Sequence, residues 1–384
     1  MLRHLASGLF TAALGAGALA AAIVTWGQHE VTRPGPHERA VCLQVAQGET
    51  LRDVGARLAE EGAIRSPLAL RAASAVHPQG GQLRFGSHLI PAEASIAEIV
   101  GIVGSTGGPG CGDEVVLRIG VTSAQIVVRG FDEEAEGLEE LARFAPDAAT
   151  PPEEYAAAAE APETRFRVVV AEGATSWHIA QNLAGAPFLE GGAEDVPPEG
   201  RLAPASYDVT AGASVDDLLG RMQARQERIL EDLWEERSAA APAADPEEAL
   251  ILASIIEKEA GLAQEQPLVS SVFVNRLAQG MRLQMDATVE YGVTLGREPL
   301  GRGLRRSELD EVTPYNTYQI DGLPPTPIAN PGAGAIAAAL APADTDYLYF
   351  VADGTGGHAF AETLAEHNSN VALWREIEAQ RNAE

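Results

Sequence analysis

The sequence predicts an α+β protein, and three observations carry that expectation. A charge-free apolar run opens the chain, one strand–turn–helix pattern occurs twice, and a C-terminal helix carries a carboxylate on its apolar face. Residues 1–26 are expected to form a single N-terminal transmembrane helix and 27–40 a linker. Two β-α units follow at 41–104 and 166–238, separated by an acidic insertion at 105–165. An α+β domain occupies 245–384, with a buried Glu on its first helix.

Leu5 to Trp26 is a 22-residue stretch without charge, preceded by Arg3, His4 and the amino terminus. At about 1.5 Å per residue it spans a bilayer core of roughly 30 Å. Positive charge at its front places the N-terminus in the cytoplasm and the rest of the chain outside. A cleaved signal peptide is the alternative, but its apolar core is usually shorter, about 7–15 residues. The formal net charge of −28 argues against nucleic acid as a partner. Part of that charge is local. Asp132 to Glu163 holds eleven acidic residues and one basic residue, Arg143, among Ala and Pro, which reads as a solvated, flexible segment. Cys42 and Cys111 are the two cysteines, and sequence leaves their pairing open. Neither has the neighbours of a metal site, and there is no phosphate-binding glycine loop. The chemistry is therefore expected to run without metal or cofactor.

Leu43-Gln-Val-Ala-Gln-Gly48-Glu-Thr50-Leu-Arg-Asp-Val54 aligns with Val168-Val-Val-Ala-Glu-Gly173-Ala-Thr175-Ser-Trp-His-Ile179. Each reads as a strand, a Gly turn, a Thr N-cap and a short amphipathic helix. A second pair follows each, one turning at Ser95 after His88-Leu-Ile and one at Ser214 after Tyr207-Asp-Val. Such Gly-x-Thr turns resemble LysM modules, whose ligands are GlcNAc-type glycan chains. Ordinary helix capping gives the same pattern.

After the linker Ser238–Ala244, Asp245 reads as an N-cap, Pro246 as the first helical residue, Glu248 as a capping-box partner and Gly261 as the stop. Glu259 lies seven residues after Leu252, four after Ile255 and three after Ile256, so it extends the apolar stripe. Glu257 is expected to point the other way, toward solvent beside Lys258. A carboxyl at the end of a buried apolar face resists ionisation, which suits a general acid. A structural ion pair is the alternative. A further helix should start at Pro267 and end at Gly280. Tyr347 to Phe360 reads as a strand, a Gly-rich turn capped by Asp353, and a second strand.

Several motifs then occur in order: Ser254-Ile-Ile-Glu-Lys-Glu259, Val272-Phe-Val-Asn-Arg-Leu277, Met281-Arg-Leu-Gln284-x-Asp286-x-Thr288, Tyr315-Asn-Thr-Tyr318, Ile328-Ala-Asn-Pro-Gly332 and Phe350-Val-Ala-Asp-Gly-x-Gly-Gly-His358. Residues 245–370 thereby resemble the YceG-like endolytic murein transglycosylases, known also as the MltG type. Met285 and Ala287 depart from the Thr and Pro usual in that loop, and the insertion at 105–165 departs from the common pattern. The resemblance implies a lyase that cuts the MurNAc–GlcNAc β-1,4 bond of peptidoglycan without water, leaving 1,6-anhydro-MurNAc ends in cell-wall biogenesis. It places the catalytic role on Glu259, acid and then base. It also implies a bacterial inner-membrane protein with its catalytic domain in the periplasm, working beside peptidoglycan synthases. Gln284, Asp286, Thr288, Tyr315, Asn316, Tyr318 and His358 are the candidates for holding glycan. Two other readings stay open: a hydrolytic muramidase with Asp286 as second carboxylate, and a non-catalytic peptidoglycan-binding protein.

Overall fold

The computed structural model describes residues 25–46, 48–77, 83–105, 111–132, 137–161, 164–192, 195–238, 241 and 243–381. The expected membrane-spanning run lies outside them except at its last two residues. No helix among the described residues is long and apolar enough to cross a membrane. Residues 25–32, the last two of the expected membrane-spanning run and the first six of the expected linker, are helical (α1), and Thr32 Oγ1 donates to the Gln28 carbonyl at 2.9 Å. The described chain divides into two units.

The first unit runs to Val115 and takes back Val127–Arg143 and Pro151–Arg165. Strand β1 (Val41–Val45) leads to α2 (Leu51–Glu60), α3 (Pro67–Val76), β2 (Gly86–Ile90) and α4 (Ile96–Gly104). Strands β1 and β2 pair antiparallel, Val41 opposite Ile90 and Val45 opposite Gly86. Thr50 and Ser95 cap their helices through full capping boxes with Asp53 and Glu98. Helix α3 was not expected, although Ser66 caps it and Pro67 opens it. Leu43, Val54, Leu58, Leu70, Ile90 and Ile99 fill the core between these elements. Cys42 and Cys111 form a disulfide with Cα atoms 5.4 Å apart.

The acidic stretch is not the flexible segment its composition suggested. β4 (Ala124–Asp132) enters it after β3 (Glu114–Ile119), and β5 (Gly137–Phe144) and α5 (Glu153–Glu160) lie within it. The outer half of β4 neighbours β5 in a sheet. Charge and order coexist because β5 exposes Glu139, Glu140 and Leu141, while α5 buries only Tyr155 and Ala158.

The second unit holds Val116–Ile126, Phe144–Thr150 and Phe166–Glu384. Its sheet runs β4-β3-β6-β8, with β6 at Arg165–Val170 and β8 at Ser206–Val209. Between these strands lie α6 (Ser176–Ala184) and β7 (Leu189–Glu190), a strand that pairs parallel with β9 (Ala213–Ser214). Strands β6 and β8 are antiparallel, Phe166 opposite Val209. Thr175 caps α6, and Ser214 caps the 21-residue α7 (Val215–Glu235).

Helix α8 (Pro246–Glu259) follows, buried at every residue from Ala249 to Ile256. It packs against α9 (Gln266–Ala278) and, further along the chain, α12 (Ala333–Leu340). The small side chains of α12 let the two helices approach closely, and Leu252, Ile255, Phe273, Ile336 and Leu340 share one core cluster. Between α9 and α12 lie α10 (Asp286–Thr294) and the short α11 (Arg306–Asp310). The chain closes with the antiparallel hairpin β10 (Tyr349–Ala352) and β11 (His358–Ala361), then α13 (Leu364–Arg381). As expected, Asp353 ties the hairpin turn, accepting the Thr355 N–H at 2.7 Å. The Ser238 N–H bonds the Leu340 carbonyl at 2.9 Å, and both flanks of Ser238–Ala244 belong to the same unit.

Candidate active site at the end of helix α8

Asp245 caps α8 as expected, accepting the Glu248 N–H at 3.0 Å. Glu248 reaches back one residue further than a capping box requires, to the Ala244 N–H at 2.8 Å. The stop is not Gly261. Ala260 turns extended (φ −90°, ψ 98°) and ends the helix directly after Glu259. Glu259 therefore stands where a core helix meets a loop, half-buried. Burial pushes its carboxyl up from 4.5 to about 7, and the nearby Asp286 charge adds to the rise. Lys258 and the Ala287 N–H, which points at the carboxylate, act in the opposite direction.

The loop bearing Asp286 and Ala287 is held by a buried residue that the sequence reading did not single out, Thr317. Its Oγ1 accepts the Met285 N–H at 2.9 Å and meets Thr288 Oγ1 at 2.9 Å, while its carbonyl accepts the Gln284 N–H at 3.1 Å. Gln284 takes φ 57°, a left-handed conformation that turns the chain into α10 and leaves its own side chain exposed. Tyr318 donates to Asp286 Oδ1 at 2.7 Å. Burial and that hydrogen bond raise the Tyr318 hydroxyl well above its usual range.

Two of the expected glycan-holding residues are structural. Thr288 and Asn316 have no exposed surface. Thr288 donates to the Met285 carbonyl at 2.7 Å. Asn316 Nδ2 donates to the carbonyls of Glu308, Leu309 and Glu311, and its Oδ1 accepts the Tyr318 N–H. A sugar has nothing of either to touch. His358 is committed to Glu265, with Nδ1 2.8 Å from the carboxylate and its N–H donated at 3.1 Å. Tyr315 hydrogen-bonds Thr326 at 2.8 Å and packs its ring 5.1 Å from that of Tyr291. Asp286 and Tyr318 are thus the expected residues that act on Glu259 electrostatically.

Glu257 also departs from expectation. It is half-buried, accepts the Gly332 N–H at 3.0 Å, and is raised by burial and by the Glu172 charge. The bond to Gly332 holds it against the protein, while the neighbouring Lys258 takes the exposed position. Gly332 lies so close to Glu172 that a Cβ there would overlap its carboxylate.

Asn330 joins this region to the turn between β6 and α6. It is fully buried; its Nδ2 donates to the Ala174 carbonyl at 2.9 Å and to Glu199 at 3.2 Å, and its Oδ1 accepts the Leu202 N–H at 2.8 Å. The backbones also exchange bonds, Gly173 N–H to Asn330 and Asn330 N–H to Ala174. Thr175 Oγ1 donates to the Gly296 carbonyl at 2.6 Å. The Gly-x-Thr turn of the second β-α unit is thereby occupied by the protein itself. Glu199, raised chiefly by burial, accepts the Ser176 N–H at 2.8 Å and the Tyr291 hydroxyl at 3.3 Å in the same network.

Next to Glu259 in sequence, Lys258 lines an open cleft together with Ala287, Tyr291, Arg297, Glu290 and Glu298. Ala287 is shared between the cleft and the Glu259 carboxyl. A carboxyl held near neutrality has the proton affinity an acid–base group needs near neutral pH.

The chain belongs to the YceG-like family, whose model matches residues 43–373. It is 38% identical over 173 residues to a protein of Bacillus subtilis strain 168 named endolytic murein transglycosylase, covering 45% of this chain and 46% of that one. A Streptococcus pneumoniae protein of the same name (strain D39) is 31% identical over 180 residues, 45% of this chain and 32% of the other. The matches thus span less than half the length of these relatives. A crystal structure of a YceG-like protein from Listeria monocytogenes aligns at TM-score 0.47 and 23% identity, covering 86% of this chain and 99% of that one.

Proposed function

We propose that the protein is an endolytic peptidoglycan lytic transglycosylase. The observation that carries the reading is the Glu259 carboxyl, raised to about 7 at the end of a buried helix and falling on the catalytic Glu that the family motif implies. Protonated Glu259 gives its proton to the glycosidic oxygen as the MurNAc C1–O bond breaks and an oxocarbenium-like sugar develops. The carboxylate so formed takes the proton of the MurNAc 6-hydroxyl while O6 bonds to C1. The product is a 1,6-anhydro end, and Glu259 is restored for the next cut. Ala287 N–H supports the charged form during the step, and Asp286, braced by Tyr318, favours the developing cation. Gln284 and Tyr315 line the approach as glycan contacts. The apolar N-terminus anchors the protein in the bacterial inner membrane with this site in the periplasm, beside the synthases. The β1–α4 unit, where a Cβ added at Gly48 would meet open space among the described residues, is the LysM-like part that holds glycan.

Asp286 beside Glu259 favours a second reading, a muramidase in which that carboxylate directs water. Digestion of purified sacculi with wild type and with Glu259→Gln, followed by mass spectrometry, decides between them. Anhydro ends that vanish in the variant support the transglycosylase. Reducing ends support the muramidase, and glycan binding without cleavage by wild type refutes both.

A further inference from the structure

Three hydrogen bonds close a ring at the start of α10. Thr288 Oγ1 donates to the Met285 carbonyl at 2.7 Å, and a hydroxyl has one proton to give. In the 2.9 Å contact between the Thr288 and Thr317 hydroxyls, Thr317 is therefore the donor. Thr317 Oγ1 in turn accepts the Met285 N–H at 2.9 Å. Two hydroxyls thus link the N–H of Met285 to its own carbonyl. Both threonines lack exposed surface and Met285 is buried, so water does not compete for these bonds. Met285 stands at the N-cap of α10 and makes no side-chain cap bond there. The ring secures that position from a segment 32 residues further on.

The next two residues are the ones that bear on the acid. The Asp286 charge raises the Glu259 carboxyl, and the Ala287 N–H opposes the rise. Lys258 on α8 and Tyr318, the neighbour of Thr317 in the chain, are further ionisable groups in range of it. We propose that Thr317 and Thr288 are positioning residues for Glu259, their hydroxyl ring fixing the first turn of α10 so that Asp286 and Ala287 stay in place to tune the acid. The inference rests on the glycan-cleaving reading of that carboxyl. Opening the ring lets Asp286 move off and water approach. Burial and Asp286 both outweigh the Ala287 N–H in their effect on Glu259, so the net result is a carboxyl that ionises at lower pH.

The test is the pH profile of sacculus cleavage by the full chain in detergent. Thr317→Val keeps the shape and removes the hydroxyl, whereas Thr317→Ser keeps the hydroxyl. Thr317→Val is expected to move the alkaline limb of kcat down by about one pH unit and to lower kcat about tenfold. Thr317→Ser should restore both. Because either valine opens the same ring, Thr288→Val combined with Thr317→Val should lose no more activity than the worse single variant. An unmoved limb in folded Thr317→Val, a serine variant as impaired as the valine, or losses that add in the double variant overturn the proposal. If Thr317→Val does not fold, Thr288→Val, which leaves the Met285 N–H its acceptor, carries the same expected limb shift and the same refutation. If wild type cuts no glycan, the cleavage reading fails by itself. The proton affinity of Glu259 is then read from the pH dependence of unfolding, each threonine variant being compared with and without Glu259→Gln. A lowered midpoint upholds the ring, and an unchanged one overturns it.

Discussion

Replacing Glu259 by Gln should make the protein more stable, and the gain should grow with pH. The carboxyl stays protonated in the folded chain up to about pH 7, whereas the unfolded chain ionises it from its ordinary 4.5. Between those values the folded state binds more protons, so the group's contribution to stability falls as pH rises. At about 1.4 kcal/mol for each pH unit separating the two, the cost of ionising Glu259 in place reaches about 3 kcal/mol above pH 7. The residual exposure of the side chain makes that a ceiling. Gln removes the charge, keeps the shape and still accepts the Ala287 N–H. Guanidinium unfolding followed by tryptophan fluorescence is the assay, since Trp234 packs against the core that contains α8. Wild type and variant should unfold alike near pH 4.5 and separate by up to about 3 kcal/mol at pH 8. A gap that is constant with pH, or that favours wild type at pH 8, would refute the assignment of a neutral buried acid.

The same group sets the activity profile: kcat should decline as pH rises through about 7, because the acid is then lost, and a rate still climbing at pH 8.5 counts against Glu259 as proton donor. Asn330→Ala leaves the Leu202 N–H without its acceptor and removes a donor from the half-buried Glu199. Urea midpoints should report a loss of about 3 kcal/mol in the second unit, and a loss below about 0.5 kcal/mol would show the network to be slack. Reducing Cys42–Cys111, which closes a loop of 69 residues, should weaken the first unit by about 4 kcal/mol. Hydrogen exchange across β1 and β2 measures this, and equal protection with and without reductant would dismiss the cross-link as a stabiliser.

What was legible in the sequence was local. Thr50, Ser95, Thr175, Ser214 and Asp245 all cap the helices assigned to them, because an N-cap needs only its own hydroxyl or carboxylate and a backbone N–H three residues on. Glu259 was legible for a similar reason, as the continuation of an apolar run. Its neighbour Glu257 was misjudged because the residues that cover it, Gly332 and Gly173, lie 75 or more positions away, beyond what helical periodicity can register. Thr288, in the first turn of α10, and Asn316, in a loop, have a sugar-like polarity, yet that polarity is consumed by backbone carbonyls within a few residues. The bond from Asn330 to Ala174 spans 156 residues, and no local pattern signals it. The acidic stretch misled because composition reports charge density, not whether alternate residues find a sheet.

The Asn330 clasp has a consequence for how the gene can be cut. Ser238–Ala244 looks like a natural place to begin an expression fragment, since the sequence thins there to alanine and proline. A fragment starting at Asp245 would nevertheless leave Asn330, Gly332 and Pro331 facing absent partners: Ala174, Glu172 and Gln226. The Glu257 and Lys258 side of α8 would then border water where it now meets the β6–α6 turn. Heritable rearrangements meet the same constraint. A domain shuffled at that linker would carry α8 and lose the partners of Asn330, Pro331 and Glu257, so the smallest self-sufficient module begins upstream of β6.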